Sequence, residues 1–276
     1  MQTKQLIGVG LAILLALTGC ASSSARTVSP TPSARIALAE DLVLREIGTG
    51  AYVVTHSYPW PANSLLVEMP DRTVVMAGTP YTAEAARLVI AWAEKQLGAQ
   101  KFVAIDTGYH PDNLGGNQAF LEAGFPVYGS DLTVRLLQER GESIRALMLN
   151  LIGDPASPYY AAYRQMTFVP PDHVFPIQAG ISLRYGNETV QVIYPGPSQA
   201  PDKVVVYFPE RKLLFGSCMI LGGDQIGNTA DANLAAWPAA VESLEKYPVV
   251  VVVPGHGERL DPGLIQHTLD VLAAAP

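Results

Sequence analysis

Three short stretches of this sequence carry side chains that could do chemistry together. The densest is Asp106-Thr107-Gly108-Tyr109-His110-Pro111-Asp112-Asn113-Leu114-Gly115-Gly116-Asn117, which follows an apolar run at 102–105. His110 and Asp112 stand two residues apart, so a loop can aim both at one point, and Gly115 and Gly116 permit the tight turn beneath it. Cys218 comes just past the apolar run 212–215 and Gly216. His256 lies in Pro254-Gly255-His256-Gly257, just past the very apolar run 249–253. Carboxylate, thiolate and imidazole make an O, S and N donor set of the kind zinc accepts, and three protein ligands leave a fourth tetrahedral position for water. Singly, these residues read equally well as a capping Asp, a buried inert thiol and a turn His. Their shared placement after apolar strands, each with glycine beside it, argues for one common site.

The elements that must hold such a site can be read from periodicity. Short β-rich runs at 51–58, 64–69 and 73–77 precede a helix over 81–97, where Ala85, Leu88, Val89, Trp92 and Leu97 fall at helical spacing and Thr82 is a fitting N-cap. A strand at 102–105, a helix at 114–123, a strand at 126–128 and a helix at 130–149, capped by Ser130 or Asp131, follow. Residues 152–180 are rich in Pro, Tyr and Gly and read as irregular, with one turn near Tyr160. A second β-rich block spans 182–185, 189–194, 204–208 and 212–215, and a helix at 232–246, a strand at 249–253 and a helix at 263–274 close the chain. Two similar halves, each a β-meander leading into β/α units, do not fit one doubly wound parallel sheet. They predict an α/β protein with two sheets face to face and helices outside, a four-layer α/β/β/α sandwich.

From about Ala51 to Leu272 the chain resembles the zinc-dependent metallo-β-lactamases. The matching pieces are His110-x-Asp112-x-x-Gly115-Gly116-Asn117, Tyr194-Pro-Gly-Pro-Ser-Gln-Ala-Pro-Asp202 with Val206-Tyr-Phe-Pro209, and Leu214-Phe-Gly-Ser-Cys-Met219. Gly227-Asn228 through Trp237-Pro238 and Val253-Pro-Gly-His-Gly257 complete the set. The resemblance implies the same sandwich, with metal at the edge between the sheets, and hydrolysis of a β-lactam as the activity. It implies zinc held by Asp112, Cys218 and His256, with His110 nearby as a candidate further ligand, and His110 or Asp112 as base or orienter for the attacking water. Di-zinc members hold a first metal with three His; here Gly108 and Gln199 stand at two of those positions, and only His110 remains. One zinc is therefore expected, with a second bound weakly at most, and Gly78 in place of an Asp beneath the site agrees with the single-zinc arrangement. Asn228 matches the residue that polarises the lactam carbonyl, and Gln199 can donate a hydrogen bond to substrate or water. Leu221 takes the place of a Lys that pairs with the substrate carboxylate. These departures keep two alternatives open: a zinc-binding protein that has lost catalysis, or a hydrolase of another amide, ester or lactone.

Other signals carry less. Asp106-Thr107-Gly108 looks like an aspartic-protease motif, but Tyr109 follows it and no second copy exists. Ser198 lacks a Gly-x-Ser-x-Gly setting. His56, His173 and His267 read as surface or packing residues. Trp60, between Pro59 and Pro61, resembles the mobile flap of the same family and reads equally well as a stiff, partly exposed turn.

The N-terminus makes a separate statement. Lys4 precedes an apolar run at 6–17 that is too short to span a bilayer, and Leu17-Thr18-Gly19-Cys20 resembles a bacterial lipobox. That resemblance implies cleavage before Cys20, acylation of Cys20 and, with Ala21 next, attachment at the periplasmic face of the outer membrane. An ordinary signal peptide cut within 21–25 is the alternative. The expected organisation is thus a signal at 1–19, a Ser/Pro-rich tether at 20–35 and one catalytic domain at 36–276, acting as a monomer on a small-molecule substrate. The charge balance, 18 Lys plus Arg against 25 Asp plus Glu for a net of −7, argues against nucleic acid as a partner. Two cysteines cannot staple 276 residues as a disulfide scaffold, and 49% apolar content excludes a disordered chain.

Overall fold

A computed structural model describes residues 34–275. The expected signal, Cys20 and nearly all of the tether lie outside the described residues. Eight strands form a first sheet in chain order: β1 (Arg35–Ala37), β2 (Leu42–Gly48), β3 (Ala51–Ser57), β4 (Pro61–Glu68), β5 (Thr73–Ala77), β6 (Lys101–Ile105), β7 (Val127–Ser130) and β8 (His173–Phe175). Pairing is antiparallel from β1 to β5 and parallel from β5 to β8. The second sheet runs β9 (Ile181–Tyr185), β10 (Glu188–Ile193), β11 (Val205–Phe208), β12 (Leu213–Leu221) and β13 (Val251–His256), with only the β12–β13 pair parallel.

The helices arise where parallel strands need crossovers. Helix α1 (Ala83–Leu97) joins β5 to β6, begins where Thr82 Oγ1 accepts from the Ala85 amide at 3.2 Å, and stops at Gly98. The expected helix over 114–123 is two short pieces, α2 (Pro111–Leu114) and α3 (Asn117–Glu122), interrupted at Gly115-Gly116. Helix α4 (Asp131–Ile152) is capped by Ser130, which accepts from the Thr133 amide at 2.9 Å. Helix α5 (Pro158–Gln165) occupies a region that composition alone reads as irregular. Ser157 caps it, and Arg145 of α4 donates to the Tyr163 and Met166 carbonyls at 2.7 and 2.6 Å, so the helix is fixed by a neighbour rather than by its own pattern. Helix α6 (Trp237–Glu242) is much shorter than 232–246, and α7 (Leu264–Ala274) ends the chain.

Strand parity explains the layering. Val53, Leu65, Val67, Val75 and Ile105 of the first sheet meet Val190, Val206, Phe208, Phe215 and Val253 of the second in the central core. Their neighbours of opposite parity, such as Val54, Leu66, Val74 and Met76, pack on Ala86, Val89, Ala93 and Phe120 of α1 and α3. On the far side, Val205, Tyr207, Leu214 and Val252 pack on Trp237, Val241, Leu264 and Ile265 of α6 and α7. Strands buried on both faces read as unbroken apolar runs, and the four layers are the expected α/β/β/α sandwich. Strand β2 escapes periodicity because Arg45 interrupts it; that side chain is 8% exposed, and its Nη2 donates to the Glu258 carbonyl at 3.2 Å.

Candidate metal centre

Beyond β6 the chain passes through 106–110 into α2, whose first turn presents Asp112 with His110 at the N-cap. Cys218 lies inside β12, not past its end as the apolar run suggests. Ser217 adopts φ 49°, and the β12–β13 register shifts on both sides of it, so a bulge turns Cys218 toward the sheet edge. Gly255 lets β13 pass this close, since a Cβ there would lie 2.6 Å from the Cys218 amide nitrogen. His256 is the last residue of β13, not a loop residue. Its Nδ1 is 2.7 Å from the Pro61 carbonyl, which can only accept, so Nδ1 carries the hydrogen and Nε2 is left as the donor atom for a metal. Asn63 of β4 pins the same segment through hydrogen bonds to the Pro254 and Gly257 carbonyls, at 3.1 and 2.8 Å.

These elements bring Asp112, Cys218 and His256 together. Cys218 Sγ is 3.1 Å from Asp112 Oδ2 and 3.7 Å from His256 Nε2, and Asp112 Oδ2 is 3.4 Å from His256 Nε2. One ligand atom from each lies within 4.8 Å of the others. One sulfur, one imidazole nitrogen and one carboxylate oxygen at such spacing fit a zinc ion, and they form the one group of this kind among the described residues. A layer beneath holds them in place. Asn113 donates to Asp112 Oδ1 at 2.8 Å and to Cys218 Sγ at 3.7 Å, while its Oδ1 accepts from Thr107 Oγ1 and Ser217 Oγ at 2.7 and 2.8 Å. Burial acts to raise the Asp112 carboxyl, but the hydrogen bond it accepts from His256 and the charge of Lys203 outweigh it and hold the group well below the ordinary carboxylate range. That hydrogen bond belongs to a ring with a proton on both nitrogens, as it stands before a metal displaces the one on Nε2.

The remaining expected residues stand apart from this trio. His110 is buried, with Nε2 on Asp231 Oδ2 at 3.0 Å, and Arg140 reaches the other oxygen of Asp231 at 3.3 Å. Because a carboxylate can only accept, a neutral His110 ring carries its hydrogen on Nε2 and leaves Nδ1 as its acceptor. Gln199 Nε2 donates to the Asn228 carbonyl at 3.3 Å, and its own Oε1 is buried without a partner. Asn228 is exposed, with Oδ1 accepting from the Ala230 amide at 3.0 Å. Sequence reading misses Asn113, Ser217, Asp231 and Lys203. Asn113 and Ser217 directly adjoin two ligand residues, which is a usable signal, whereas nothing local marks Asp231 or Lys203.

A cavity of about 830 Å³ opens over the trio. Ile144, Leu147, Met148 and Leu151, one face of α4 at helical spacing, form its far wall, and Trp60 and Leu221 contribute to the rim. Among the described residues, no Lys or Arg lines it.

Comparison with known proteins agrees with this geometry. The model of the Metallo-beta-lactamase superfamily matches residues 57–256. A metallo-beta-lactamase type 2 of Bacillus cereus is 28% identical over 216 residues, covering 77% of this chain and 73% of the relative. One from Pseudomonas aeruginosa is 29% identical over 205 residues, covering 74% and 71%. Among solved structures, a metallo-beta-lactamase from Pontibacter korlensis superposes with a TM-score of 0.70 at 29% identity, covering 85% of this chain and all of that one (100%). One from Hirschia baltica gives 0.68 at 27% identity, covering 84% and 98%. A sandwich with its O, S and N donors at the edge between two sheets, matched by the family over most of its length, places this chain in the metallo-β-lactamase superfamily.

Proposed function

We propose that the protein is a single-zinc hydrolase that opens the amide bond of a β-lactam ring. The observation that carries this reading is the convergence of Asp112, Cys218 and His256 on the floor of a cavity large enough for a bicyclic substrate. Asp112, Cys218 and His256 would hold the zinc, which would supply Lewis acidity and lower the pKa of a water in the cavity. His110, with Nε2 tied to Asp231, offers Nδ1 as the base that accepts the proton of the attacking water. Asn228 turns its amide toward the substrate carbonyl and stabilises the charge developing on oxygen, and Gln199 holds the Asn228 backbone in place. The α4 wall receives the apolar part of the substrate and excludes water from the reacting bond.

Zinc per chain, measured together with turnover of penicillins, cephalosporins and carbapenems, tests the reading. One zinc with turnover is the expected result; zinc bound with no β-lactam opened would overturn the substrate and leave the metal centre standing. A specific observation favours a second reading on the same residues. With no cation in the cavity wall and Leu221 on its rim, a substrate carboxylate has no partner, which suits uncharged esters, lactones or amides. Matched free-acid and ester forms of one lactam separate the two.

We further propose that the chain works from the periplasmic face of the outer membrane, tethered through acylated Cys20. Cys20→Ala should release the protein from membranes; protein that stays membrane-bound after that change would sink the proposal.

A further inference from the structure

Lys203 is fully buried; its Nζ reaches no oxygen or nitrogen acceptor, and the polar group it meets is the Cys218 sulfur. It stands at the head of β11, where the Val204 amide donates to the Thr107 carbonyl at 3.2 Å and so lays the lysine across Gly108. A Cβ at Gly108 would lie 2.8 Å from Lys203 Nζ, 3.0 Å from Cδ and 3.2 Å from Cε. Gly108 is not among the residues with positive φ, so its backbone does not require glycine; the space does. The missing side chain at 108 and the buried lysine are two halves of one arrangement. The acidic side chains close enough to act on its charge are Cys218, Asp112 and Asp202, two of them in the donor trio. Lys203 does not line the cavity, so substrate does not reach it.

We propose that Lys203 is a fixed positive charge built into the metal centre in the room left by Gly108, drawing electron density from the Cys218 thiolate and so sharpening the acidity of a metal held by Asp112, Cys218 and His256. It is a positioning residue, acting through the ligands. The inference rests on the single-zinc reading given above. Two consequences have definite signs. A divalent ion feels twice the repulsion from the ammonium that a single displaced proton does, so the lysine weakens metal binding. A thiolate relieved of its neighbouring cation is a stronger electron donor, so its charge-transfer transition to cobalt(II) moves to lower energy.

The test compares the wild-type chain with Lys203→Met, a neutral side chain of similar length, and with Gly108→Ala, which crowds the ammonium out of place. In Lys203→Met, zinc Kd should tighten about tenfold, the thiolate-to-cobalt band should shift to lower energy, and kcat should fall about tenfold at constant KM. Gly108→Ala should move all three the same way by less. If Lys203→Met does not fold without metal, it is refolded with cobalt, and the band and kcat decide. Zinc affinity within twofold of wild type and an unmoved band would overturn the role of the lysine while leaving the centre intact. A wild-type chain that binds neither zinc nor cobalt would instead overturn the reading of the centre itself, and this inference with it.

Discussion

Two cations are buried in the second half of this molecule, and they are held in opposite ways. Arg211, 2% exposed between β11 and β12, donates to Glu188 at 2.6 Å, to the Glu68 carbonyl at 2.6 Å and to the Thr49 carbonyl at 3.3 Å. It thus fastens the second sheet to the turn after β2 and to the end of β4 in the first. Lys203, 0% exposed, finds no oxygen acceptor and is balanced by the Cys218 sulfur and by the nearby charges of Asp112 and Asp202. A guanidinium whose hydrogens are taken by fixed acceptors serves the fold and has nothing left to offer a ligand. An ammonium balanced only by nearby charge responds when another charge enters. The difference teaches that burial of a charge does not by itself mark function; the state of its hydrogen bonds does.

Four substitutions break or sharpen this contrast. The largest effect is expected at the thiolate that Lys203 faces. Cys218→Ser should leave the far-UV CD spectrum unchanged, release zinc and lower kcat roughly a thousand-fold, about 4 kcal/mol of transition-state stabilisation. Retention of both metal and rate in that variant would remove the thiolate from the mechanism. Next comes the fastener: Arg211→Met leaves Glu188 buried without its partner and should cost about 3–5 kcal/mol in urea unfolding, with zinc per chain unchanged. A loss below about 1 kcal/mol would erase the distinction between the two cations.

A smaller effect lies at Asp231, where the hydrogen bond from His110 holds the carboxyl down at about 2, against 3.8 for an ordinary Asp. A depressed carboxylate contributes stability that is present above pH 4 and lost as pH falls toward 2. That contribution is about 1 kcal/mol once solvent screening of this half-buried group is allowed for. Urea midpoints at pH 4.5 and 2.5 should differ less in Asp231→Asn than in wild type; equal slopes would remove the pair from the account. The smallest effect is Leu221→Lys, which puts a cation where the cavity has none. Leu221 is itself buried and only its edge meets the cavity, so the new ion pair there is worth about 1 kcal/mol or less: KM for carboxylate-bearing substrates should fall a few-fold, and KM for neutral esters should not change.

Much of this was legible before any coordinates. The four layers follow from apolar runs with strand periodicity alternating with amphipathic stretches, and Asp112, Cys218 and His256 announce themselves by type, by glycine and by their apolar approaches. What stayed hidden depends on contacts distant in the chain. Cys218 sits within its strand because the bulge at Ser217 is set by β13, and α5 exists because Arg145 takes its carbonyls. Lys203 comes just before an apolar strand and nothing local marks it; its burial and its fit over Gly108 show only in the fold. His110 and Asp231 meet across 121 positions, a pairing that no local pattern encodes.

The donors of the centre come from both sheets: Asp112 follows β6 of the first, while Cys218 and His256 lie on β12 and β13 of the second. Asp112 and Cys218 are 106 positions apart along the chain. An ion seated there is a removable cross-link closing a long loop, and the conformational freedom it takes from the unfolded chain, on the order of a few kcal/mol, is returned when the ion leaves. On the single-zinc reading proposed above, loss of the ion should lower stability by that amount and make the chain easier to cleave, which limited proteolysis with and without a chelator would read.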